Sequence, residues 1–96
     1  MLGEKIKALR ESKGLVQREV AIELGVDIAY LSRMEHSEKP VNRNHLKKLA
    51  ILFDFPEKEL RTLWLADRLI DLSKDEPEAE QALKVARNEI VNKTRI

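Results

Sequence analysis

The amino-acid sequence predicts an all-α fold, and three features of the chain lead to that prediction. Apolar residues recur at intervals of three and four along most of the chain, which is the spacing of one helix face. Residues 17–36 show this spacing twice, before and after Gly25. Pro56 stands where a later helix would begin. We therefore expect five helices in one domain over residues 1–73, followed by a helical extension over residues 74–96.

Length and composition limit the kinds of protein that this chain can be. At 96 residues it can bury about two thirds of its unfolded surface, and it has little room for a separate ligand-sensing domain. Charged residues make up 36% of the chain but the formal net charge is only +1, so any DNA binding must come from local placement of charge. The lack of cysteine fits a reducing cytoplasm, and no apolar stretch approaches membrane-spanning length. We expect a soluble cytoplasmic protein without a cofactor, a small-molecule ligand or membrane contact.

The first helix is predicted over residues 3–12. Leu2, Ile6 and Leu9 share one apolar face, and charged residues occupy the opposite side. Gly14 is placed to end this helix, and the chain then leads into a second helix.

Two helices that cross at a steep angle are predicted around Gly25. Ala21 is small enough for the two backbones to approach, and Gly25 can take the left-handed conformation that ends the earlier helix. Asp27 can cap the next helix by accepting a backbone N–H. The shared apolar core would consist of Val20, Leu24, Val26, Leu31 and Met34. The outward positions of the third helix are then Ile28, Ala29, Tyr30, Ser32, Arg33 and His36.

This stretch resembles the helix-turn-helix of the phage repressor and Cro class of bacterial DNA-binding domains, the XRE-like class. The match extends upstream over residues 3–15 and downstream over residues 44–50, and it covers roughly the first 60 residues. Tyr30, Leu31 and Ser32 are similar to residues of the controller proteins of restriction-modification systems. The resemblance implies a five-helix repressor/Cro-like domain that binds double-stranded DNA, here followed by a sixth C-terminal helix.

The third helix would then be the recognition helix and would lie in the major groove of DNA. Ile28 and Ala29 could contact thymine methyl groups there. Arg33 could bind guanine O6 and N7 with two hydrogen bonds, which gives roughly 1–3 kcal/mol of discrimination. Tyr30 and Ser32 could bind a base edge or a phosphate, while the alternative for Tyr30 is packing against the following loop.

Phosphate contacts are expected at both edges of the recognition helix. Gln17 opens the second helix, where its amide could bind a phosphate or could simply be a polar first-turn residue; Arg18 follows it. The resemblance favours the phosphate contact for Gln17. Lys39, Asn42 and Arg43 fall where related proteins contact phosphates, and Asn42 could also cap the fourth helix.

Arg10 and Glu35 match positions that form a buried ion pair in some phage repressors. Such a pair would tie the first helix to the end of the third, and loss of one partner would cost roughly 3–5 kcal/mol. The alternative is two solvated side chains.

The sequence departs from the family pattern at two helix ends. Val16 stands where a threonine often caps the second helix, so that cap must come from elsewhere. His36 and Ser37 stand where related proteins usually have Asn-Gly or Arg-Gly after the third helix.

The fifth helix, predicted over residues 57–73, is apolar on two sides. It follows a fourth helix that turns Leu46, Leu49, Ala50 and Phe53 inward. One face of the fifth helix carries Leu60, Leu63, Trp64 and Ile70, and the other carries Leu65, Ala66, Leu69 and Leu72. A surface helix needs one apolar stripe, so a second stripe implies a second partner: the C-terminal tail, another subunit, or both. The candidate dimer contacts are Leu60, Leu63, Trp64, Leu65 and Leu69.

The sixth helix has start signals of its own and a narrow apolar stripe. Asp75 could cap it, and Pro77 suits its first turn. The stripe consists of Ala79, Ala82, Leu83, Ala86 and Ile90.

Three classes of function can be weighed on these features. The favoured one is a homodimeric transcriptional regulator, such as a bacterial repressor or restriction-modification controller, that reads a near-palindromic operator with half-sites about 34 Å apart. The alternative is a protein-interaction module, for example an antitoxin whose last two helices bind a partner protein. An enzyme is not expected, because the chain has no cysteine, no phosphate-binding glycine loop and no grouping of histidine, acid and nucleophile. His36 and His45 have no metal-site spacing, so no metal is expected.

Overall fold

The computed structural model describes residues 1–94, and these residues form an all-α structure with no strand. The predicted all-α fold with a C-terminal helix is confirmed. The helices are α1 (Leu2–Ser12), α2 (Gln17–Leu24), α3 (Ile28–Glu35), α4 (Leu46–Phe53), α5 (Glu57–Ser73) and α6 (Ala79–Thr94). A short 3-10 turn over Arg43–His45 leads into α4.

The core lies among α1 to α4 and the beginning of α5. Each of these helices contributes apolar residues spaced three or four apart, because such residues share one helix face. α6 contributes no buried residue. The buried apolar residues are Leu2, Ile6, Val20, Ala21, Leu24, Leu31, Met34, Val41, Leu46, Leu49, Ala50, Phe53 and Leu60.

The start of α1 packs closely against the end of α3. A Cβ atom at Gly3 would collide with the carbonyl oxygen of Met34, so only glycine allows this approach. On the other side of α1, the Leu2 N–H donates to the Asp67 carboxylate of α5 at 2.9 Å. Asp67 thereby satisfies one of the free N–H groups at the helix start from a distant part of the chain.

The turn between α2 and α3 has the predicted geometry. Gly25 has φ +70°, the left-handed conformation that favours glycine, and no atom lies within 4 Å of the place of a Cβ. Asp27 then caps α3, since its Oδ1 accepts from the Tyr30 N–H at 2.7 Å. At the start of α2, where Val16 cannot cap, the Glu19 carboxylate accepts from the Val16 N–H at 3.0 Å. This is half of a capping box.

The loop between α3 and α4 keeps a left-handed residue without using glycine. Ser37 has φ 60° at this point. The sequence suggested that Asn42 caps the fourth helix, but Asn42 does not cap α4 directly. Its side chain accepts from the Asn44 N–H at 2.8 Å and caps the 3-10 turn, which delays the start of α4 to Leu46.

The two-sided α5 turns only one of its apolar faces to the core. Leu60 is 0% exposed, so its prediction as a dimer contact is wrong, because the side chain is buried in the core of its own subunit. Leu63 and Trp64 are partly buried against the core. Leu65 and Leu69 are 53% and 45% exposed.

Candidate nucleic-acid interface

The outward face of α3 presents most of the predicted base-contacting residues. Ile28, Ala29 and Arg33 are exposed. Ser32 is half-buried, and Tyr30 is partly buried against the core. Ile28 is 43% exposed, although an isoleucine usually lies inside a protein. This is an apolar and cationic surface on one short helix.

A buried carboxylate fixes α3 relative to α1. The Glu35 side chain is 0% exposed, and its Oε2 accepts from Arg10 Nε at 2.7 Å. Arg10 Nη2 donates to the other oxygen of Glu35 at 3.2 Å, and Nη1 donates to the Leu15 carbonyl at 2.9 Å. The hydrogen bond with Glu35 raises the pKa of Arg10 against the effect of its burial. An arginine is charged in proteins in any case, and the predicted ion pair is present as a two-pronged contact.

Gln17 joins the same network from the first turn of α2. Its Nε2 donates to Glu35 Oε1 at 3.0 Å. An amide nitrogen has two hydrogens, so one holds Glu35 while the other is left to donate elsewhere. The sequence offered a phosphate contact or an ordinary surface residue for Gln17, and it gave no sign of this third contact, because the partners are 18 positions apart.

Apart from the half-buried Gln17, the predicted phosphate-contacting residues are exposed. Arg18 extends from the first turn of α2. Lys39, Asn42 and Arg43 lie in the loop after α3 and in the 3-10 turn. Their exposure leaves the charged and amide groups accessible to a DNA backbone.

Trp64 of α5 contacts the loop between α3 and α4, and the sequence did not predict this contact. Its indole N–H donates to the Val41 carbonyl at 2.8 Å. Its ring lies 5.5 Å from the guanidinium of Arg43 and 5.0 Å from that of Arg68. Such distances are typical of cation–π contacts. Trp64 was predicted as a dimer contact, and the structure adds contacts with the loop that carries a predicted phosphate ligand.

Among residues 1–94, no group of three or more acidic, histidine or cysteine side chains could hold a metal ion. No helix in this range is long and apolar enough to cross a membrane.

The fold and this face define a helix-turn-helix protein. A family model described as "Helix-turn-helix domain" matches residues 1–63, about two thirds of the chain, and the chain belongs to this family. The match supports DNA binding, and domains of this family are typically not enzymes. Searches of curated proteins and of solved structures gave no significant match. The match ends within α5, so the second half of α5 and all of α6 lie beyond it.

Proposed function

We propose that the protein is a sequence-specific transcriptional regulator that inserts α3 into the major groove of DNA. One observation carries this proposal: α3 exposes Ile28, Ala29 and Arg33 while Glu35, at its other end, is locked by Arg10. The Arg10–Glu35 ion pair fixes α3 in the free protein, so DNA binding requires little further loss of conformational entropy. Apolar side chains suit thymine methyl groups, and arginine suits guanine.

The proposed functional unit is a homodimer on a near-palindromic operator. A two-fold pair of recognition helices would read half-sites about one helical turn apart, roughly 34 Å. The exposed Leu65 and Leu69 of α5 supply an apolar surface for a second subunit, with Leu63 and Trp64 beside them. The proposed role is repression, or control of a restriction-modification system, in a bacterial cytoplasm. This part of the proposal is based on the resemblance of Tyr30, Leu31 and Ser32 to controller proteins.

Selection from random duplexes at a stated salt concentration tests this function, combined with light scattering of the same sample. Salt must be stated because it changes the affinity of phosphate contacts steeply. We expect a homodimer that enriches a two-fold-symmetric motif. A folded protein that enriches no motif would contradict the proposal.

A second candidate function is a protein-interaction module of the antitoxin kind. It is favoured by α6, which has no buried residue and exposes Leu83, Ile90 and Val91. A heterologous protein that co-purifies at a fixed ratio and covers α6 would support this function. A homodimer with no other partner would speak against it.

A further inference from the structure

α6 is a long helix that the subunit itself leaves uncovered. All of its 16 residues lie outside the core. Leu83 is 45% exposed, Ile90 is 61% exposed and Val91 is 43% exposed. Isolated helices of about this length are only marginally stable in water, and packing of an apolar face supplies most helix stability in proteins. α6 therefore needs a partner surface.

The end of α5 and the start of α6 together form an open apolar groove of about 360 Å³. Glu76 and Glu78 lie at its border. Its apolar lining consists of Leu69, Leu72, Ala79, Ala82, Leu83 and Ala86. The groove is continuous with Leu65 of α5 through Leu69, one helical turn away, so the proposed dimer surface extends onto α6.

The charges along this segment have opposite signs at its two ends. Residues 75–80 carry four acidic side chains and no basic one. Residues 81–94 carry three basic side chains and one acidic side chain, a net charge of +2. A second copy that runs antiparallel would place its basic end beside the acidic start of the first copy. A parallel copy would place like charges together.

We propose that the groove is covered by a second copy of this chain, whose α6 lies antiparallel to this α6 with the two-fold axis beside Ala86. This inference rests on the proposed function, since it assumes the homodimer. Ala86 lies at the middle of the helix, and its small side chain lets two helix axes approach. In this register Ala82 faces Ile90 of the second copy, and Glu78 lies near Lys93 of the second copy.

Engineered cysteines test the orientation, because the chain has no cysteine of its own. Ala82→Cys and Ile90→Cys are made separately, mixed in equal amounts and oxidised gently. Positions 82 and 90 are about 12 Å apart along one helix, whereas a disulfide needs Cα atoms about 4.4–6.8 Å apart. We expect mass spectrometry to show mainly the mixed disulfide, and each variant alone to crosslink at least several-fold less.

The matched control is Asn88→Cys, which lies on the side of α6 opposite the stripe and should not crosslink. Preferential crosslinking of Ala82→Cys with itself would show a parallel pair and overturn the proposal. No crosslinking above the Asn88→Cys level would also overturn it.

Charge reversal separates this inference from the proposed function. Lys93→Glu should weaken the dimer several-fold by analytical ultracentrifugation, and the added change Glu78→Lys should restore it. If Lys93 and Glu78 acted only through the dipole of their own α6, the second change would not restore the dimer, because both changes place a charge unfavourably with respect to that dipole. If both variants stay dimeric at the wild-type affinity and select the same symmetric motif, the α6 inference fails while the proposed function stands. If the wild-type chain selects no motif, the proposed function fails.

Discussion

At the scale of single residues, Arg33 is the side chain expected to determine sequence preference. It is exposed on α3, and a guanidinium can bind guanine O6 and N7 at once. We predict that Arg33→Ala costs about 1–3 kcal/mol of discrimination at one base pair of each half-site. Competition between operator variants measures this. Arg61→Ala, an exposed arginine of α5, is the control and should keep the preference. Unchanged discrimination by Arg33→Ala would remove the base contact from the proposal.

Glu35 and Arg10 give a second prediction at this scale. Arg10→Met leaves the fully buried Glu35 without its cation, so we expect a loss of about 3–5 kcal/mol in the free energy of unfolding. The double variant Arg10→Met with Glu35→Met should recover much of that loss, because no buried charge remains unpaired. Urea unfolding measures both. A double variant as unstable as the single one would show that the pair matters through its shape and not its charge.

The hydrogen bond to Glu35 raises the pKa of Arg10 above its already high ordinary value. A raised pKa stabilises the fold below the unfolded-state pKa, and this contribution fades only as pH rises through the folded-state pKa. The arginine side of the pair therefore remains charged throughout the pH range of ordinary binding experiments.

At the scale of helices, the start of α2 is less well capped than it can be. Val16 has an extended backbone, as an N-cap residue should, but lacks a side-chain acceptor. We predict that Val16→Thr adds about 0.5–1 kcal/mol of stability, because its hydroxyl completes the capping box with Glu19. Urea unfolding again measures it. Val16→Ile keeps the branched side chain without the hydroxyl, so an equal gain there would exclude capping as the cause.

The loop before α4 should depend on Trp64 for its position. Trp64→Leu removes both the hydrogen bond to the Val41 carbonyl and the ring beside Arg43. We expect this variant to bind DNA more weakly and to make Arg43→Ala nearly silent, since Arg43 would already be displaced. A double-mutant cycle on DNA affinity measures the coupling. Trp64→Phe keeps a ring and should retain more of it.

Arg68→Ala is the control for this cycle, because Arg68 also lies beside the Trp64 ring but is outside the loop. Additive effects of Trp64→Leu and Arg43→Ala would show that Trp64 serves the fold without positioning Arg43.

The helices and their junctions could be predicted from the sequence because their signals are local. Gly25 and Asp27 act within a few residues, and the α2–α3 turn follows from them. Periodicity showed that α5 has two apolar faces, but it could not say which face the subunit buries. Leu60 was therefore placed on the wrong surface. Trp64 and Asp67 contact residues that are 23 and 65 positions away, and no local pattern carries such information.

At the scale of the whole molecule, the proposed DNA-binding surface and the proposed dimer surface lie in different parts of the chain. The family match and the residues proposed to contact DNA lie in the first 63 residues, whereas the exposed apolar groove lies beyond them. The net charge is only +1 because 18 basic residues are nearly balanced by 17 acidic ones, so one subunit can attract a phosphate backbone only through locally placed cations. Two subunits joined through α5 and α6 would double the number of these cations at the operator, and the second would bind at a high effective concentration.

Removal of the dimer should therefore weaken DNA binding in a particular way. Leu65→Glu with Leu69→Glu places charges on the exposed face of α5 and should give a folded monomer. The slope of log affinity against log salt scales with the number of phosphates contacted, at about 0.9 for each phosphate. The monomer should lose about half of the slope of the dimer and its preference for paired half-sites over single ones. Titrations at several salt concentrations measure both quantities.

Lys58→Glu, at the other end of α5, adds one acidic side chain without touching the dimer face, and should leave the preference for paired sites intact. A monomer that keeps the full slope would mean that one subunit makes all the phosphate contacts and that the second subunit serves another purpose.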